Sequence, residues 1–396
     1  MRRCLPGWCG LLLLCLSLRA PALAGQTGFS RPPERPRLPA ERDPNSAQDY
    51  YGYGVSILER DPALAAAAFY WAGRLDPTWA SPLYGEYTAL MLARPSNELD
   101  AYLTRPARAL QIEAIRRIDS LVYFARLRNP YVDRRLGGML ISTWVHRVTG
   151  GEFDLRELGR FDRWFTAWAA YCRSDFPMAA TVYAEILRRH KDPGLFLDRS
   201  LVFFAMGQLD SARAMARASL EATLVREDQV LGLGWYSHAM ASYSIGFLYE
   251  VAGQGDSARV AYEQALLDDV RFHPAHRGLA AVRLAARDTV GAVEELGQAV
   301  QLAPRDAGYL YDYGVLLLAT GRADSAATML LRSTEAEPYY ALPHYPLAVL
   351  YERGGFAAEA VQHYEAFLAL APRSMGAALS AVQARLTALK ARMPAS

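Results

Sequence analysis

Gly253-Gln254-Gly255-Asp256-Ser257-Ala258-Arg259 repeats an earlier phrase, Gly207-Gln208-Leu209-Asp210-Ser211-Ala212-Arg213, and returns more loosely as Gly321-Arg322-Ala323-Asp324-Ser325-Ala326. The last two copies start 68 residues apart, two periods of 34. Self-similarity at a fixed period of this length marks an array of supersecondary units, each able to bury its apolar face only against its neighbours.

The period divides 239–374 into four units without insertion: Ala239–Phe272, His273–Asp306, Ala307–Tyr340 and Ala341–Ser374. The eighth position holds Gly246, Ala280, Gly314 and Ala348, small because the two helices of a unit cross closely there; the twentieth holds Ala258, Ala292, Ala326 and Ala360, small because the second helix presses on the next unit. Large residues fill the twenty-fourth, Tyr262, Leu296, Leu330 and Tyr364. Pro304, Pro338 and Pro372 stand where one helix has ended and the next is about to begin. Gly253, Gly321 and Gly355 mark the turns, and Asp256 and Asp324 are expected to cap the second helices. An ordinary amphipathic bundle also spaces apolar residues three and four apart, but it does not hold small residues and prolines at one phase over four periods.

On these columns the chain resembles the tetratricopeptide repeat family. The resemblance implies an all-α solenoid of helix-turn-helix units wound as a right-handed superhelix. Pro193–Arg226 fits the same phase, with Phe203, Gly207, Ala212 and Ala216 in place. Residues 46–79 form a further candidate with Ala65, Phe69, Ala72 and Pro77 in position, although Tyr53 stands where a small residue is expected. Residues 80–192 predict helices without a clean phase, among them a long helix over 106–127 and an apolar face of Trp164, Phe165, Trp168 and Tyr171. Degenerate repeats and a separate helical insert both remain open there. Residues 375–396 read as a capping helix, with Leu379, Val382, Leu386 and Leu389 on one side.

Residues 1–24 have the layout of a cleavable export signal: Arg2 and Arg3, an apolar run from Gly10 to Leu18, and Ala22-Leu23-Ala24 before Gly25. The run is shorter than the roughly 20 residues that span a bilayer, so stable membrane insertion is not expected. Removing Arg2, Arg3 and Arg19 takes the formal charge from +2 to −1, which leaves no basic excess for nucleic acid. Of four cysteines only Cys172 would remain, so no internal disulfide is expected, and its aromatic neighbours suggest a buried thiol. Residues 25–45, rich in proline and arginine, read as an extended linker.

Motifs for chemistry are missing. No Cys-x-x-Cys or His-Glu-x-x-His spacing occurs, His273 and His276 read as a surface pair, and His344 falls in a packing column. Gly52-Tyr53-Gly54 lies in a predicted helix without the rest of a dinucleotide fingerprint. Gly137-Gly138 is a hinge or close-packing point, and Glu294-Glu295 belong to a solvated helix face. No catalytic residue, metal ligand or cofactor is therefore expected.

What the resemblance adds is a surface. In the family, the first helices line a concave peptide groove; the matching columns here hold Tyr243, Arg277, Tyr311 and Tyr345, then Phe247, Val315 and Val349. Tyrosine suits a peptide surface because it offers large contact area at small entropy cost. The lysine and asparagine of chaperone-tail clamps are not in these columns, so that partner class is not expected. The reading is an exported scaffold, periplasmic or secreted, for an unidentified protein or peptide. The alternatives are an enzyme with its active site in 80–192 and a subunit of an envelope export or assembly machine.

Overall fold

The structure, a computed structural model, describes residues 32–79, 81–93, 162–223 and 237–393. The export segment, the 106–127 helix, Gly137-Gly138 and the side chains of Trp164, Phe165 and Cys172 lie outside the described residues.

Among the described residues every regular element is a helix. Helices α1 (Ala47–Ile57), α2 (Pro62–Leu75) and α3 (Ser81–Ala93) come first. Next are α4 (Asp162–Cys172) with α5 (Phe176–Leu187) and α6 (Pro193–Ala205) with α7 (Leu209–Thr223). The four contiguous units follow: α8 (His238–Val251) and α9 (Gly255–Asp268), α10 (His273–Ala285) and α11 (Thr289–Leu302), α12 (Ala307–Ala319) and α13 (Ala323–Ala336), α14 (His344–Arg353) and α15 (Ala357–Leu370). A helix α16 (Gly376–Lys390) ends the array. From α4 to α16 each helix packs on the next in sequence. The fold is an all-α solenoid of repeated helix-turn-helix units with a C-terminal capping helix. Among the described residues no helix is long and apolar enough to cross a membrane.

Local chemistry sets the boundaries. The carboxylates of Asp61, Asp175, Asp192, Asp288 and Asp306 accept hydrogen bonds from backbone N–H groups in the first turns of their helices, and Ser46 and Ser237 do so through their hydroxyls. Between the helices of a unit the chain turns through a left-handed residue: Gly207, Gly253, Gly321 and Gly355 have φ of 72–81°. Ser174 and Arg287 take the same conformation at φ 61° and 65° in the α4–α5 and α10–α11 turns. The expected caps Asp256 and Asp324 are a correction. Gln254 and Arg322 occupy the cap positions without a side-chain bond, and the two aspartates sit in the first turn. There they favour the helix through its dipole instead.

The packing columns are completely buried: all four residues of the twentieth and of the twenty-fourth have no solvent-exposed surface. Geometry shows why small residues are needed. A Cβ on Gly246 would come within 2.6 Å of the Tyr262 ring, one on Gly278 of the next unit within 2.7 Å, and one on Gly314 within 2.8 Å of Leu330. The Tyr262 ring is thus clamped between a glycine of its own unit and one of the next.

The first unit uses the same clamp, one residue out of phase. Phe69 lies between Gly54 and Gly85, whose added Cβ atoms would approach it to 2.9 and 2.5 Å. Gly54, not Tyr53, is the small residue of the crossing. The α1–α2 connection has no positive-φ residue, and one residue drops out of the register. Helices α4 and α5, in the region without a visible phase, repeat the pattern: Ala167, Ala179 and Tyr183 are fully buried at the spacing of Ala280, Ala292 and Leu296. Ser174 in place of the turn glycine hid it. At the other end α16 lays Val382, Leu386 and Leu389 on Tyr364 and Phe367, with Leu379 partly buried beside them.

The linker is also corrected over 32–45. This stretch has no helix but is not a free tether: Trp71 Nε1 donates to the Pro33 carbonyl and the Tyr50 hydroxyl to that of Pro36, each at 3.1 Å. Main-chain carbonyls and an arginine hold it, together with buried Pro36 and with Leu38, which packs against the cluster of Tyr50 and Trp71.

The register of the first unit can be tested directly. Gly54→Val is expected to cost about 1–3 kcal/mol by overfilling the contact with Phe69, while valine at exposed Ser56 stays within about 0.5 kcal/mol of wild type. Urea midpoints of the two variants check this.

Candidate functional site

The columns expected to face a ligand are largely filled from within. Tyr243, Arg277, Tyr311, Val315 and Val349 are buried, and only Phe247 and Tyr345 of the seven are half-exposed. Tyr243 packs at 5.3 Å from Tyr262 and 5.8 Å from Phe272, and Tyr311 meets Tyr340 edge-on at 5.6 Å. Tyr345 leans on Tyr364 and Phe367 at 6.3 and 5.8 Å, while Phe247 meets Phe204 of α6 at 5.8 Å. The reason lies at the last position of each unit. In the first three contiguous units the fifth residue is matched by the thirty-fourth, Tyr243 with Phe272, Arg277 with Asp306 and Tyr311 with Tyr340; in the fourth, Tyr345 is followed by Ser374 and the pairing lapses. This pairing was present in the sequence and is the signal that a column-by-column reading missed.

Arg277 anchors a buried polar cluster between the second and third contiguous units. Its Nε and Nη2 both donate to Oδ2 of Asp312, at 3.0 and 2.6 Å, and its guanidinium lies 5.7 Å from the centre of the Tyr309 ring. Burial works against the charge of Arg277, but Asp312 outweighs it and the guanidinium stays protonated. Burial pushes the Asp306 carboxyl up to about 7, with its cap bond to the Tyr309 N–H and the nearby Arg277 opposing. His273 Nδ1 sits 2.8 Å from the Tyr309 hydroxyl, and burial, then His276, hold its pKa down to about 4.

His273 and His276 are therefore not a surface pair. They point to different partners: His276 Nδ1 is 2.8 Å from Glu295 Oε2, which also lies near Arg283 through its other oxygen at 3.3 Å. Glu295 is accordingly half-buried, and only Glu294 keeps the solvated position expected of both. His344 Nδ1 lies 3.0 Å from His363 Nδ1, half-buried rather than in the core. Among the described residues no three His, Cys, Asp or Glu side chains are placed to hold a metal ion.

A second pairing ties the ends of the first helices. Tyr262 donates to Glu250 at 2.6 Å and Tyr364 to Glu352 at 2.8 Å, the same two columns in the first and fourth units. In the second and third units both columns are leucine, Leu284 with Leu296 and Leu318 with Leu330. Arg385 of the capping helix adds a hydrogen bond to Glu352 at 2.6 Å. Against the upward push of burial, these bonds hold the Glu352 carboxyl below its usual range. A cavity of roughly 500 Å³ opens between α5 and α6, where Arg199 stacks on Phe203 at 5.0 Å and Glu185 pairs with Arg163.

Residues 283–351 match a tetratricopeptide repeat model. That stretch contains α11, α12 and α13 whole, with parts of α10 and α14. No curated protein matches the chain in sequence. Among solved structures the chain is similar to MamA, at 18% identity over 43% of this chain and 93% of that one, with a TM-score of 0.37. It is also similar to YrrB, described as a TPR protein with an unusual peptide-binding site, at 21% identity over 49% and 94%, TM-score 0.39. A third is the C-terminal part of a TPR repeat-containing protein from Cytophaga hutchinsonii, at 12% identity over 53% and 79%, TM-score 0.43.

The burial of Tyr311 makes a prediction about its role. Tyr311→Ala is expected to destabilise the protein by about 3 kcal/mol or more, as loss of a buried ring does, and Tyr345→Ala by clearly less. Denaturant unfolding of the two variants measures the difference, and a Tyr311→Ala midpoint equal to that of wild type would mean that the Tyr311 ring is not a packing residue.

Proposed function

We propose that the chain is a non-catalytic scaffold that binds protein or peptide partners along the face of its first helices. The observation that carries this reading is the use made of polar groups. Arg277 with Asp312, His273 with Tyr309, and Glu352 with Tyr364 and Arg385 all join one helix to another. Groups spent in this way hold the units in register and supply no chemistry to a substrate. Phe247 and Tyr345 are the members of the expected groove set that offer aromatic surface to a ligand, while Tyr243, Arg277, Tyr311, Val315 and Val349 set the shape of the face beneath them.

The repeat-like pairing of α4 and α5 supports extending the scaffold into 162–192 over reading that part as an insert with an active site. We also propose export, with removal of residues 1–24 and action in the periplasm or outside the cell. The support is the charged start, the short apolar run and Ala22-Leu23-Ala24.

A photo-crosslinking amino acid placed at Phe247 or Tyr345 in the native host is expected to form discrete adducts with another protein. The same group at Leu267, which is 80% exposed on second helix α9, serves as the control. Indistinguishable adduct patterns at all three positions would remove the first-helix face from consideration.

A further inference from the structure

The segment before α1 is bound as a ligand would be. Proline fixes φ near −65° and drives the residue before it into extended conformations, so Pro32-Pro33-Glu34-Arg35-Pro36 is set towards a polyproline II path. Such a helix has three residues per turn, and the carbonyls of Pro33 and Pro36 therefore fall on one side. Both are taken by side-chain donors of the body of the protein, Trp71 Nε1 and the Tyr50 hydroxyl, each at 3.1 Å. Between them Arg35 enters a cage of three rings: its guanidinium carbon lies 5.5 Å from the centre of Tyr50, 5.2 Å from Trp71 and 5.4 Å from Tyr339. Its Nε also donates to the Tyr50 hydroxyl at 3.1 Å. Donors to main-chain carbonyls plus aromatic walls are the means by which proline-rich segments are recognised in general.

The cage is assembled from distant parts of the chain. Tyr50 and Trp71 come from α1 and α2, whereas Tyr339 lies in the connection between α13 and α14. Trp71 and Tyr339 meet edge-on at 4.7 Å, and beside them Arg74 Nε is 2.5 Å from the buried carboxylate of Glu337. Further along, Asn45 donates to the Ala369 carbonyl at 2.6 Å and the Arg373 N–H to Asp43 at 2.5 Å. The first unit thus closes on the connection after the third contiguous unit, the segment before it reaches the end of the fourth, and the arginine lies at that junction.

We propose that the cleft of Tyr50, Trp71 and Tyr339 is a binding site for a polyproline II segment carrying arginine, of the type Pro-x-Arg-Pro, on a partner protein. Residues 33–36 occupy it in cis and must leave before the partner enters. Being tethered beside the cleft, they act at an effective concentration in the millimolar range for a short linker, which keeps the site shut to weak competitors. Pro32, Glu34 and Arg37 face solvent while Pro36 is buried, so the bound segment is held by Arg35, two carbonyls and the Pro36 ring and not by burial of its whole length; the Arg35 guanidinium also donates to the Pro44 carbonyl. This site is distinct from the first-helix face, and its test does not depend on that reading.

The probe is a fluorescent synthetic peptide of residues 31–40, titrated by anisotropy into the full-length chain. Arg35→Ala in the protein loosens the resident segment, and this variant is expected to bind the peptide at least ten-fold more tightly than wild type. Binding falls at least ten-fold when Tyr339→Ala is added to that variant, or when the arginine matching Arg35 is alanine in the peptide. Trp71→Leu in the same background gives the same loss from the other wall of the cage, and circular dichroism melts confirm that each variant folds. Absence of saturable binding to Arg35→Ala, or equal binding with and without Tyr339, overturns the proposal and leaves residues 33–36 as a structural brace.

Discussion

The solenoid depends on one steric fit. A large side chain late in the second helix, Tyr262 in the clearest case, fills the space between Gly246 of its own unit and Gly278 of the next, where even a methyl group would clash. That contact joins the two helices of a unit and the unit to its successor in a single place. Phe69 between Gly54 and Gly85 reproduces it at the far end of the sequence. Because the ring is fully buried on both sides, the hydrophobic gain of about 1.5–3 kcal/mol for a large side chain recurs in each unit, and stability builds along the array from neighbour to neighbour.

Around this apolar fit, polar pairs decide which unit follows which. Arg277 with Asp312 couples the second contiguous unit to the third, and Arg385 with Glu352 couples the fourth to its cap. Truncating one partner of the buried Arg277–Asp312 pair leaves an uncompensated charge, while the pair itself adds little net stability. Their value is in register: an out-of-order stack would bury Arg277 without Asp312. The same accounting explains why carboxylates and histidines with shifted titration, Asp306 and His273 among them, arise at packed helix contacts.

Much of this was legible in the sequence. Fixed spacing between small and large residues named the helices, their order and the cap, because close packing permits few substitutes at a helix crossing. Two kinds of feature were not legible. Phase was lost where a unit outside the contiguous array made the left-handed turn without glycine, as at Ser174, or omitted it, as between α1 and α2; Arg287 makes the same turn inside the array, where the neighbouring units keep the phase visible. Partners were lost wherever a residue's role depends on another column: Tyr243 and Tyr311 look like displayed aromatics until Phe272 and Tyr340 are seen against them. The docking of Pro33 and Pro36 was hidden for a third reason, since it is made to main-chain carbonyls, which carry no residue identity.

The steric fit is also the part most open to measurement. A double-mutant cycle joining Gly246→Val to Tyr262→Ala, followed by denaturant unfolding, tests whether the two residues compete for one space. If they do, the added valine is harmful beside the tyrosine but tolerated in the cavity left by its removal. The double variant should then be more stable than the sum of the single losses by at least about 1 kcal/mol. Additivity to within about 0.5 kcal/mol would show that the two sites are independent, and would contradict the clamp on which the repeat stack is built.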